Sequence, residues 1–335
     1  MDHLASRRSV LKSLLSCWCV VSARAATAMS SPLQGPPWQA EVASSRTISV
    51  GGAAIQIDFA PGDLDLPPDK LIRWIRTAAD SVSAYYGRFP VARARILVVP
   101  IAARAGVMAG TTWGGVGGYQ GFTRIRLGQH TTEDVLANDW VMTHELVHMA
   151  LPSLPEDQHW LEEGLATYLE PIARERNGTL SAIAVWGEMV RNMAKGEPQR
   201  QDQGLNHTRS WASTYWGGAL FYLVADVTIR KQTDNRKGLR DGLIAILAAH
   251  GAIDQDWPLS KVLRIADEGT GTAVLETLNG TMGDKAGYVD LDSLWQELGV
   301  VVSDGAIHFD DSAPFAKIRH AITGSARSTE SLEKK

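Results

Sequence analysis

The chain has 335 residues, 44% of them hydrophobic and 21% charged, enough to bury a substantial core in one large domain or two lobes. A formal net charge of −4 offers no electrostatic footprint for nucleic acid or for an anionic membrane surface. No internal repeat or low-complexity tract is present.

In chain order, the first segment reads as a targeting signal. Arg7 and Arg8, followed by Ser9, Val10, Leu11 and Lys12, match the twin-arginine export pattern. An apolar run over residues 14–21 follows, then small-residue cleavage sites ending at Ala25 or Ala28. The run is far shorter than the roughly 20 residues a membrane span needs, so residues 1–28 are expected to be a signal peptide. The mature protein is then periplasmic or secreted, with no stable membrane insertion. Both cysteines, Cys17 and Cys19, fall in the signal, which excludes disulfides and cysteine metal sites from the mature chain.

Residues 29–45, rich in Pro, Ser and Gly, read as a linker. Residues 46–131 read as an N-terminal α/β lobe. Alternation over 48–59 around Gly51 and Gly52 predicts a hairpin, residues 67–87 a helix, and 94–101 a short apolar strand. Residues 113–121 carry the glycine-rich run, which reads as a flexible loop leading into a strand over 122–127.

The next segment carries the chemistry. Residues 144–148 spell His-Glu-Leu-Val-His, an HExxH pattern. Thr131 and Thr132 offer an N-cap, Glu133 and Asp134 suit the positive end of a helix dipole, and Pro152 supplies a stop. One continuous helix is expected between them, with Leu136, Trp140, Val147 and Leu151 as its buried stripe. On that helix His144 and His148 stand one turn apart on one face and can converge on one metal ion. Glu145 lies about 100° round the helix, within reach of a water at that metal without ligating it. Inward histidines are costly without a partner, and a metal is the obvious one.

A catalytic metal of this kind takes a third protein ligand. Residues 160–170 read Trp-Leu-Glu-Glu-Gly-Leu-Ala-Thr-Tyr-Leu-Glu. This W-L-x-E-G-x-A-x-Y-x-E pattern resembles the second motif of the gluzincin zinc metallopeptidases, in which the glutamate before the glycine is a metal ligand. The resemblance implies Zn2+ held by His144, His148 and Glu163, not Glu162, with Glu145 as general base. His159 is a rival donor that reads as the end of a loop. A metzincin third histidine would fall where Leu154 stands, so that class is excluded. Only 14 residues separate His148 from Glu163, fewer than in better-known gluzincins, and the loop at 152–157 must return the chain within them. Glu170 is a candidate acceptor for a ligand histidine, or alternatively a partner for Arg174 one turn on.

Residues 213–230 resemble the Y-x-x-G-x-L…D-x-x-I-R helix of the glycyl aminopeptidase family. That resemblance implies an oxyanion-stabilising hydroxyl at Tyr215. Tyr222 reads as core, Trp216 as core or cleft lining, and His207 as a loop histidine that could donate.

The resemblance implies an α+β fold: a thermolysin-like metallopeptidase catalytic domain, with a small mixed β-sheet lobe, a mainly helical lobe over 132–301, and the zinc site between them. Helices are expected at 238–250, 259–267, 291–298 and 316–322, and residues 302–335 form a C-terminal tail. By the same resemblance, the strand at 123–127 either runs along the cleft and pairs with extended substrate, or is an ordinary inner strand behind a flexible glycine loop. The implied partner is a peptide or protein substrate. No carboxylate stands between Ala105 and Gln129 to hold a substrate's free amine, which favours an endopeptidase. An aminopeptidase of the glycyl aminopeptidase type and an inactive zinc-containing binding protein are the alternatives.

Overall fold

The computed structural model describes residues 36–324, so the twin-arginine signal lies outside the described residues. Alternating apolar residues build β1 (Ser44–Val50) and β2 (Ala53–Phe59), joined at Gly51 and Gly52. The linker thus gives way to strand two residues before the expected boundary. Helix α1 (Pro68–Tyr86) opens on a proline, whose missing N–H would be unsatisfied there anyway, and closes on left-handed Gly87.

Strands β3 (Arg93–Ile101), β4 (Val107–Val116) and β5 (Tyr119–Gly128) complete a five-stranded sheet in the order β1-β2-β3-β5-β4. The three inner strands are parallel, and each outer strand runs antiparallel to its neighbour. The glycine-rich run is strand as far as Val116 and then a two-residue turn at Gly117 and Gly118, both at positive φ. The strand at 123–127 lies inside β5, whose backbone is bonded to β3 on one side and β4 on the other. The edge of the sheet next to β5 is β4, and β1 forms the opposite edge.

Ile55, Ile57, Ile96, Val98, Ile125 and Leu127 pack with Leu71, Ile75 and Val82 of α1 into the main core. The opposite face carries a smaller cluster of Leu97 and Phe122 beneath Trp38 and Trp113. There Arg95 pairs with buried Asp58 at 2.6 Å and also donates to the carbonyl of Trp38.

The remainder is mainly helical: α2 (Glu133–Ala137), α3 (Val141–Val147), α4 (His159–Arg176), α5 (Ala182–Asn192), α6 (Gly218–Gln232), α7 (Leu239–Ala248), α8 (Leu259–Thr270), α9 (Val274–Leu278) and α10 (Leu291–Leu298). A hairpin of β6 (Val300–Ser303) and β7 (Ala306–Phe309) and a last helix, α11 (Ala316–Ile322), follow. Ile318 and Ile322 are buried, so the expected tail joins the core at least to that point.

The continuous helix expected through HExxH is two. Asp139 accepts from the amides of Val141 and Met142 and from the indole of Trp74, which caps α3 afresh and ends α2. The break also turns Trp140 outward to 52% exposure, so it is not part of the buried stripe.

Helices α4 and α6 cross at glycines. A Cβ on Gly164 would lie 2.4 Å from Gly218, closer than any side chain tolerates. This contact brings the turn holding Glu163 against the turn preceding α6, which holds Tyr215. Farther along the pair, Tyr168 of α4 donates to Asp226 of α6 at 3.0 Å, and Asp226 is paired with Arg230.

Candidate metal centre

Helix α3 is short and enters a tight turn at His148, which keeps His144 and His148 one turn apart. His144 is buried and His148 nearly so. The second turn of α4 delivers Glu163, also buried. Its Oε2 lies 3.1 Å from Nε2 of His144 and 3.6 Å from Nε2 of His148. One ligand atom from each of the three residues falls within 4.8 Å of the other two.

These spacings suit one tetrahedral zinc ion. Metal–ligand bonds of about 2.1 Å at tetrahedral angles separate neighbouring ligand atoms by about 3.4 Å. The two distances to Glu163 bracket that value. Glu163 thus faces both histidines, while Glu162 turns away to accept from the amide of Leu154 and to meet the ring of His159.

His159 is not a loop end. It is the first residue of α4, so its ring reaches both acidic neighbours along the helix: Nδ1 lies 2.9 Å from Glu162 and Nε2 3.1 Å from Oε1 of Glu163. Burial works to lower its pKa, but the two carboxylates outweigh burial and raise it to about 9. Burial of Glu163 works to raise its carboxyl, yet His148, His144 and His159 hold it well below the usual carboxylate range. His144 is raised, the pull of Glu163, Glu145 and Glu170 overcoming burial.

Glu145 faces the edge of the sheet. Its side chain lies against Gly110, where a Cβ would approach within 2.4 Å, so a glycine at that point of β4 makes room for it. Two residues along, the hydroxyl of Thr112 donates to Oε2 of Glu145 at 2.7 Å and lies 2.9 Å from Thr123, its cross-strand partner. All three are buried.

Tyr215 is half-buried in a wide turn before α6. Its ring stacks on His144 with centroids 6.2 Å apart, and its hydroxyl bonds to Glu163. Burial and the nearby Glu163 and Glu145 push its pKa up, so the hydroxyl keeps its proton and remains a donor.

Glu170 accepts from Arg174 at 2.9 Å with both side chains buried. Burial nonetheless lifts its pKa to about 7 against that pairing. Trp216 and Tyr222 are core, and His207 is exposed. Near the site, Thr112 and Trp211 escape the sequence, while His159 stands there only as a rival donor and Trp140 only as part of a buried stripe. Both tryptophans stand four positions before a residue of the site.

No family model and no curated protein matches this sequence. Among solved structures, the chain is similar to an aminopeptidase N family protein from Idiomarina loihiensis, with a TM-score of 0.57 and 14% identity over 78% of this chain and 51% of that one. An M1 zinc metallopeptidase from Deinococcus radiodurans aligns with a TM-score of 0.44 and 18% identity over 71% of this chain and 50% of that one. The chain spans about half the length of both. The first likeness is one of fold: this chain's α+β arrangement of a five-stranded sheet and a helical region superposes on part of the aminopeptidase N family protein.

Proposed function

From a fold shared with an aminopeptidase N family protein, we propose that this chain is a zinc-dependent peptidase of the gluzincin type. The observation that carries the reading is the convergence of His144, His148 and Glu163, with Glu145 and Tyr215 beside them. Two histidines and a carboxylate are a donor set that leaves a coordination position open for catalysis. A zinc ion there would act as a Lewis acid on the scissile carbonyl and make water acidic enough to attack it.

The protein's own groups supply the rest. Thr112 occupies Oε2 of Glu145, which leaves Oε1 to take the proton of the attacking water. The same oxygen returns that proton to the nitrogen as the C–N bond breaks, so that carboxylic acid and amine leave in balance. Tyr215, held as a neutral donor at Glu163, is placed to turn its hydroxyl to the oxyanion as the carbonyl becomes tetrahedral.

Endopeptidase action is favoured by β4. It is the edge strand that runs past Glu145, and it carries no carboxylate on which a substrate's terminal amine could anchor. An extended peptide pairing with that edge would extend past the site in both directions. Aminopeptidase action is the second reading, favoured by the likeness to an aminopeptidase N family protein. Peptides with blocked N-termini decide between them. An endopeptidase cleaves them as readily as free ones, an aminopeptidase does not, and Glu145→Gln abolishes either activity with zinc retained. The twin-arginine pattern of residues 6–12 supports a periplasmic or secreted site of action, which fractionation of the producing cell would test.

A further inference from the structure

Ten of the eleven tryptophans lie among the described residues, and eight of these are buried or half-buried. The two exceptions are Trp140, 52% exposed, and Trp211, 60% exposed. Both stand four residues before a residue of the metal centre and lay their rings against it. Trp140 meets the ring of His144 edge-on at 5.4 Å, and Trp211 stacks on Tyr215 at 5.4 Å with planes 25° apart. Because Tyr215 in turn stacks on His144, the four rings form one connected aromatic surface. A metal-ligand candidate lies within it and a solvent-facing tryptophan at each end.

Packing does not require that exposure. Each tryptophan offers some 150–250 Å² of largely apolar surface, and leaving two such faces in water forgoes burial that the other eight obtain. Contiguous exposed apolar surface that continues a functional cleft marks the place where a ligand completes the burial. The faces here adjoin the atoms proposed to act on the peptide bond, so the occupant is a side chain close to that bond.

We propose that Trp140 and Trp211 are specificity-determining walls of the cleft, which take aromatic or large aliphatic substrate side chains flanking the scissile bond. This inference rests on the peptidase reading and names its substrate class. A flat, rigid indole face gains most from a large uncharged partner, by area and by ring stacking.

The test uses the zinc-loaded mature chain and a set of N-blocked internally quenched peptides that vary only at the positions flanking one bond. The expected result is selectivity for Phe, Trp, Tyr and Leu over Ala and Gly. Trp211→Ala and Trp140→Ala then raise KM for the large-side-chain peptides about tenfold, the size of a lost aromatic contact. Ala-flanked peptides stay within about twofold, and Trp211→Phe keeps most of the preference. A loss that is equal on every peptide would reassign the tryptophans to supporting His144 and Tyr215. A preference for Lys or Arg, read through a cation–π contact, would also overturn the assignment. The same peptides are titrated onto zinc-loaded Glu145→Gln protein, where Kd replaces turnover. Failure of the wild type to cleave any peptide sinks the peptidase reading. Absence of an aromatic or aliphatic preference in the Kd values sinks the tryptophan assignment separately.

Discussion

The hydroxyl of Thr112 donates to Oε2 of Glu145 across 2.7 Å, from a different layer of the fold. The threonine comes from the edge strand β4 and the glutamate from α3, and both are buried. A buried carboxylate that must take and return a proton gains from being fixed by one oxygen, since the other then points consistently at its task. Thr112→Val should therefore lower kcat about ten- to a hundredfold, the worth of a hydrogen bond to a charged group. KM and metal content should hardly move. Thr112→Ser, which restores the hydroxyl, should recover most of the rate. Steady-state kinetics on the three proteins checks this, and equal rates for the Val and Ser variants would reduce Thr112 to packing.

The metal site makes a sharper distinction. Glu163 lies within a ligand's reach of both histidines, whereas Glu162 is held by Leu154 and His159. Elemental analysis of the purified protein should find one zinc per chain, lost in Glu163→Ala and kept in Glu162→Ala. His159→Ala should keep zinc at saturation but bind it about 10–100-fold more weakly, because His159 orients Oε1 of Glu163. Competition with a chelator measures that difference. Zinc retained at full affinity in Glu163→Ala would remove that residue from the ligand set.

What the sequence could and could not reveal follows from the range of each signal. His144, Glu145 and His148 were legible because their geometry is set by three and four residues of local helix. Glu163 and Tyr215 were reached by motif, and the glycines of those motifs turn out to set their mutual distance through the contact of Gly164 with Gly218. Trp140 lies off the buried stripe because a capping aspartate, Asp139, restarts the helix and changes its phase, which periodicity alone does not register. The run of glycines hid β4, since glycine weakens the alternation by which a strand is recognised. Thr112 left no trace at all. Its position depends on the register of β4 against β5 and on how the sheet meets α3, both products of tertiary packing.

Tyr215 is a donor by its surroundings. Burial and two nearby carboxylates keep its proton on, so it can stabilise developing negative charge throughout the working pH range. Tyr215→Phe should lower kcat by about 10²–10³ with zinc content unchanged. The stacked ring on His144 survives in that variant, which separates the hydroxyl's role from the ring's. An unchanged kcat would make Tyr215 a packing residue.

Glu170 provides a pH signature in stability. Burial raises its folded pKa to about 7, above the value of about 4.3 that an unfolded chain gives, despite the salt bridge to Arg174. A raised carboxyl pKa means the folded state holds a proton that the unfolded state has already released. Its contribution to stability is therefore complete below about pH 4.3 and is lost as pH rises to about 7. Glu170→Gln keeps the shape of the protonated acid but cannot ionise. Compared with it, the zinc-loaded wild type should lose a few degrees of Tm between pH 5 and 7.5. The difference between the two melting curves isolates this group from the titration of the histidines. A constant difference across that window would mean that Arg174 holds Glu170 ionised throughout, and that the pair is an ordinary buried salt bridge.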